Sequence, residues 1–168
     1  MKFSLKTMIV LSIFLYLPIA FFANVQANEE AALVIHVERI KRTEGTLFYQ
    51  LFECPENELV TWPDLRLIYT NKTAVIDNNI IITLPYSAVK SVPHKSGSRV
   101  AFRVFQDIDS DGVLAFSNGG IPKEPTGFSN NPSLILGMPK PIDTCFDYDL
   151  TSNVKIKLNN KRKRGKRK

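Results

Sequence analysis

The chain has 168 residues, of which 44% are hydrophobic and 10% aromatic, enough to build one core and to exclude global disorder. Length allows one ordinary domain rather than two. The formal charge of +6 is misleading: Lys2 and Lys6 precede an apolar run, seven Lys or Arg stand in the last eight residues, and what lies between holds 13 cations against 16 anions.

The first 27 residues read as an address. Lys2 and Lys6 give a positive start, Met8 to Ala23 is almost wholly apolar, and Val25-Gln26-Ala27 offers the small residue a signal peptidase needs. The run falls short of the roughly 20 residues that span a bilayer, and Pro18 interrupts it. Cleavage is expected near Ala27, which leaves a domain over 28–160, a basic tail over 161–168, and no transmembrane segment. The expected location is periplasmic or secreted.

Beyond Ala27 the periodicity is two. Leu33, Ile35 and Val37 alternate with Val34, His36 and Glu38. A turn at Thr43-Glu44-Gly45 leads into Thr46 to Phe52, with Leu47, Tyr49 and Leu51 on one face. Pro55, Pro63 and nearby acids mark a loop, and a short strand is expected from Leu65 to Tyr69. Asn78-Asn79 turns into Ile80 to Leu84. Val100, Phe102 and Val104 alternate with Arg99, Ala101 and Arg103, the pattern of a half-buried strand; Val154, Ile156 and Leu158 repeat it near the end. No helical stripe is evident. Six or seven short strands separated by Gly, Pro and Asn turns predict an all-β fold: an antiparallel two-sheet sandwich, immunoglobulin-like or transthyretin-like.

In an oxidising compartment Cys54 and Cys145 form an even pair and predict one disulfide. Neither has metal-ligand spacing or a neighbouring histidine. His36 lies in a strand and His94 in a proline-containing loop, and neither completes a nucleophilic constellation. Trp62 beside Pro63 reads as a cover for a core edge, or else as a stacking platform for sugar.

Chemistry concentrates after the strand at 99–104. From Asp107 to Asn118 the sequence is Asp-Ile-Asp-Ser-Asp-Gly-Val-Leu-Ala-Phe-Ser-Asn. Asp107, Asp109 and Asp111 fall on positions one, three and five of a calcium loop, Gly112 on the sixth and the Val113 carbonyl on the seventh. Calcium prefers six to eight oxygens, and alternate carboxylates in a tight loop converge on one point. Ala115 at position nine and Asn118 at position twelve depart from the helix-loop-helix pattern, which places a bidentate glutamate last. Ser117, Asn118 or Glu124 would complete the shell. Downstream, Gly119 to Pro132 is rich in residues that specify a fixed irregular loop. Within it Glu124, Phe128, Ser129 and Asn130 are candidates for contacting a ligand.

Together, strand, acidic loop and the string from Gly120 to Pro132 resemble a family of small exported bacterial proteins known only as a domain of unknown function. Its members show a strand ending in Phe-His-Asp, an Asp/Asn-rich glycine loop, and Gly-x-Pro-x-Glu-x-x-Gly-Phe-Ser-Asn-Asn. The resemblance spans most of Leu33 to Leu158 and is most specific between Gly97 and Pro141. It implies an exported β-sandwich without an established activity. Gln106 stands where relatives tend to have His, and Ala115 where they tend to have Asp, so both subtract from the metal-ligating set the resemblance carries over.

The expected function is that of a non-enzymatic envelope protein. Its loop cluster from Asp107 to Pro141 takes a ligand or protein partner, with calcium as the one cofactor indicated. One alternative is an enzyme on an envelope polymer, with Glu124 and a loop aspartate as paired carboxylates. Another is a purely structural protein whose tail, Lys161 to Lys168, adheres to an anionic surface. An exported chain disfavours nucleic acid as the partner.

Overall fold

Alternation of apolar and polar residues forces each strand to hide one face, and two sheets closing on each other satisfy that demand. The computed structural model describes residues 31–89, 99–147 and 153–159. The expected leader and cleavage site (1–27), His94 and the basic segment 161–168 lie outside the described residues.

Among the described residues, eight strands and one short α-helix follow in order, with 3-10 turns at Trp62–Asp64 and Pro141–Thr144: β1 Ala31–Glu38, β2 Thr46–Glu53, β3 Leu67–Ala74, β4 Ile80–Pro85, α1 Tyr86–Val89, β5 Arg99–Asp107, β6 Thr126–Phe128, β7 Cys145–Asp147 and β8 Asn153–Lys157. One sheet runs β4-β1-β8; the other runs β3-β2-β5-β6, with β7 also paired to β5. The pairing is antiparallel apart from β1 with β8, which run parallel. The fold is thus the predicted all-β sandwich.

Leu33, Ile35 and Val37 of β1 meet Leu47, Leu51, Val100, Phe102, Val104 and Ile156 between the sheets, all without exposed surface. Gly127 sits where β6 crosses β8. A Cβ there would lie 2.7 Å from Ile156 Cγ2 and 3.1 Å from the Lys157 carbonyl oxygen, so this crossing admits only glycine.

Several details differ from the sequence reading. β3 is longer than expected and runs through Asn71-Lys72-Thr73, because its partner β2 offers a full ladder from Thr46 to Phe52. β6 and β7 were not foreseen; three residues are too few for alternation to register. β5 is not half-buried. Its outer face is covered too, since Phe52, Ala101 and Cys145 form a second small cluster with Cys54, Trp62 and Leu65. Arg103 on that face stacks its guanidinium 5.0 Å from the Trp62 ring centre and 5.1 Å from Phe52. Its Nε donates to Gln50 Oε1 at 2.9 Å. Burial pushes its pKa down to about 10, which leaves it charged in any physiological medium.

Cys54 and Cys145 are joined by a disulfide with Cα atoms 5.7 Å apart. It ties the end of β2 to β7 on either side of β5. Among the described residues no helix is long and apolar enough to cross a membrane.

Candidate metal centre

The end of β5 delivers Asp107 to one end of the sandwich. There Thr46 pairs with Asp107 across the ladder, and the preceding turn closes on it. Gly45 has φ +76°, and a Cβ at Gly45 would stand 2.2 Å from the Asp107 carbonyl oxygen. Gln106 fixes the same turn from below, its amide donating to the carbonyls of Arg42 and Glu44 at 2.7 Å each. A strand end braced on two sides is therefore the base of the acidic loop.

The loop then folds around the Asp107 carboxylate. Asp107 Oδ1 accepts from the Ser110 amide at 2.7 Å, and Oδ2 from the Gly112 amide at 3.0 Å. Asp111 Oδ1 accepts from the Val113 amide at 2.8 Å. Ser110 and Gly112 both take positive φ, 64° and 75°, which curls the chain tightly enough to bring alternate side chains together.

A short hairpin returns the chain to the loop. Phe116 bridges Pro122, and the Lys123 amide donates to the Ala115 carbonyl at 2.8 Å. This return brings Glu124 beside the aspartates. One oxygen each from Asp107, Asp109, Asp111 and Glu124 lie within 4.8 Å of one another. Asp107 and Glu124 are buried, while Asp109 and Asp111 are exposed, so the cluster is a half-open bowl.

Glu124 is one of two described residues with a buried side-chain oxygen that the protein does not satisfy. It is 9% exposed; Oε2 accepts from the Ala115 amide at 3.2 Å, and Oε1 is buried without a hydrogen-bond partner. Burial chiefly raises its pKa above the usual carboxylate value; the Ala115 hydrogen bond opposes this, and the charges of Asp109, Asp107 and Asp111 add to it. A buried carboxylate oxygen without a donor is costly unless a cation or proton meets it.

The remaining site residues divide by role. Val113 is exposed and its amide is engaged with Asp111. Asn118 is exposed in the turn where the Gly120 amide donates to the Ser117 carbonyl. Phe128 is 1% exposed and packs its ring 5.2 Å from Trp62. Trp62 thus covers a core edge, with its Nε1 donating to the Pro139 carbonyl at 2.8 Å. The hydroxyl of Ser129, also buried, accepts from the Phe102 amide and donates to the Thr144 carbonyl. Asn130 Nδ2 donates to the Cys145 carbonyl at 2.8 Å. Asn131, which the sequence reading passed over, brackets β8 by donating to the Lys155 carbonyl and accepting from the Lys157 amide. Phe-Ser-Asn-Asn in this structure therefore fastens β6 to β5, β7 and β8, and Phe128 and Ser129 present no surface to a ligand.

Gly45 and Gln106 are the contributors that sequence reasoning missed. Gly45 reads locally as an ordinary turn glycine, and its contact with Asp107 joins positions far apart in the chain. Gln106 retains a second buried oxygen without a partner, Oε1, one residue before the loop.

No curated protein and no solved structure matches the chain. The model of a family described as an uncharacterized protein conserved in bacteria (DUF2141) matches residues 35–157, and this chain, from the first sheet through the acidic loop to β8, belongs to that family.

Proposed function

We propose that the protein is an exported, non-enzymatic binding module whose acidic loop takes one calcium ion, through Asp107, Asp109, Asp111 and Glu124 with the Val113 carbonyl. The observation that carries this reading is the buried, unpartnered Oε1 of Glu124 beside three more carboxylates. Calcium suits such a set: it takes six to eight oxygens in flexible geometry, and four carboxylates with a backbone carbonyl and water supply them, whereas magnesium demands near-ideal octahedral geometry and usually keeps several waters. Asp109 and Asp111, open to solvent, give the ion a path in. The burial of Glu124 favours binding over paired-carboxylate hydrolysis, because a general acid has to reach its substrate.

The test is a thermal melt of the protein purified from cells expressing the full chain, first in EDTA and then in calcium. A site with Kd of about 10 µM adds roughly 2.7 kcal/mol at about 1 mM calcium, a rise of several degrees. Asp109→Ala should abolish the rise. Equal melting temperatures in EDTA and calcium would refute the reading.

A further inference from the structure

The outer face of the larger sheet sets two cations on aromatic rings. Gln50 of β2 pairs with Arg103 of β5 and with Thr70 of β3; two residues along, Phe48 pairs with Phe105 and with Lys72. Alternation puts these side chains on the face opposite Leu47, Tyr49 and Leu51. Lys72 Nζ stands 5.5 Å from the Phe48 ring centre, and Phe48 stacks on Phe105 at 5.1 Å. The Arg103 guanidinium lies against Trp62 and Phe52. Neither cation belongs to an ion pair among the described residues.

Arg103, unlike Lys72, is half-buried. Its guanidinium presents donors along two edges. Gln50 Oε1 fills one of them, accepting from Nε at 2.9 Å and from Nη2 at 2.5 Å. On the other edge Nη1 meets no acceptor among the described residues. The orphaned buried side-chain atoms there are Gln106 Oε1 and Glu124 Oε1, so the Nη1 edge opens to the surface. The rings attract the cation but accept nothing from that edge. Burial lowers the Arg103 pKa, and no carboxylate acts against it. A half-buried cation so placed lacks a counter-charge.

We infer that Arg103 anchors a binding site for a carboxylate-bearing ligand on this face, its open guanidinium edge gripping the carboxylate through two parallel hydrogen bonds. Planar donors in a fixed fork match a planar carboxylate. Gln50 is the positioning residue: it holds the other edge and, being neutral, leaves the charge available. Lys72 adds attraction from the neighbouring row. One guanidinium edge balances one negative charge, which fits carboxylate better than phosphate, with roughly two near neutral pH. Asp107 lies four residues further along β5, about 13 Å away. The site therefore shares no residue with the acidic loop and does not rest on the calcium reading.

Trp62 is the single tryptophan of the chain, so its fluorescence reads this site directly. The test titrates the purified full-chain product, freed of divalent cations on a chelating resin, with sodium acetate, sodium phosphate and sodium chloride at matched ionic strength. Acetate should change the emission along a saturating curve with a midpoint on the order of 10 mM. Phosphate should need at least about fivefold more, and chloride should not saturate. Arg103→Lys keeps the charge but loses the fork, and should raise the acetate midpoint about tenfold. Gln50→Glu is nearly isosteric and supplies an internal counter-charge; it should abolish the acetate response with no fall in melting temperature. An acetate response no greater than that of chloride overturns the inference. A response that survives Gln50→Glu also overturns it, because the ion then sits elsewhere. Phosphate binding tighter than acetate overturns the carboxylate as the ligand group.

Discussion

Gly45→Ala combines two costs in a single methyl group. The residue has φ +76°, and an L side chain held in the left-handed region costs about 1–2 kcal/mol. The new Cβ would also stand 2.2 Å from the Asp107 carbonyl oxygen. Both partners are backbone, so neither escapes by a rotamer change, and overpacking of this kind costs a further ~1–3 kcal/mol. The total is about 2–5 kcal/mol. Gly112→Ala separates the two contributions: its φ is +75°, with nothing within 4 Å of the added atom, so about 1–2 kcal/mol is expected from conformation alone. Urea unfolding of both variants in EDTA measures the difference. Because the recoil falls on Asp107, the first position of the acidic loop, Gly45→Ala should also weaken calcium binding. Equal destabilisation by the two changes would refute the claim that the Gly45 turn is packed against the base of the site.

Removing the disulfide by Cys54→Ala with Cys145→Ala frees a cross-link between residues 91 apart, worth about 4.6 kcal/mol in the chain-entropy model; a urea midpoint close to that of the oxidised parent would contradict the bridge. Glu124 sets a pH dependence. Burial, and secondarily the three aspartates, hold its pKa above the usual value, so the folded state retains the proton longer than the unfolded one. In EDTA its contribution is therefore most favourable below the ordinary carboxylate pKa and declines as pH rises through the raised one. Denaturation from pH 4 to pH 8 should show this decline, and Glu124→Gln should flatten it; a contribution that grows with pH would contradict the assignment.

The strands were legible because burial in this protein follows alternation. Leu33-Ile35-Val37 and Val100-Phe102-Val104 name the core directly, and both triplets are buried. Alternation failed where one face was hidden for another reason. Arg103 reads as a solvent-facing residue, yet it lies between Trp62 and Phe52, because the loop over β5 is drawn down by the disulfide and by Trp62 on Pro139. The acidic loop was legible from its spacing, since ligand positions in a tight turn are local. The joining of Glu124 to the aspartates depends on the hairpin between Ala115 and Lys123, in which Phe116 and Pro122 form a bridge too short to carry a periodic signal. The Phe-Ser-Asn-Asn segment shows the converse. Its place in a long, fixed loop suggested ligand contact, whereas Ser129, Asn130 and Asn131 direct their polar groups into the protein's own strand edges.

The calcium site is the central claim, and counting ions tests it most directly. Equilibrium dialysis of the purified protein against about 0.1 mM calcium, roughly ten times a Kd of about 10 µM, should give close to one ion per chain. Glu124→Gln and Asp109→Asn should each lower that occupancy. Occupancy near zero in the parent, or occupancy unchanged by both substitutions, would contradict the account.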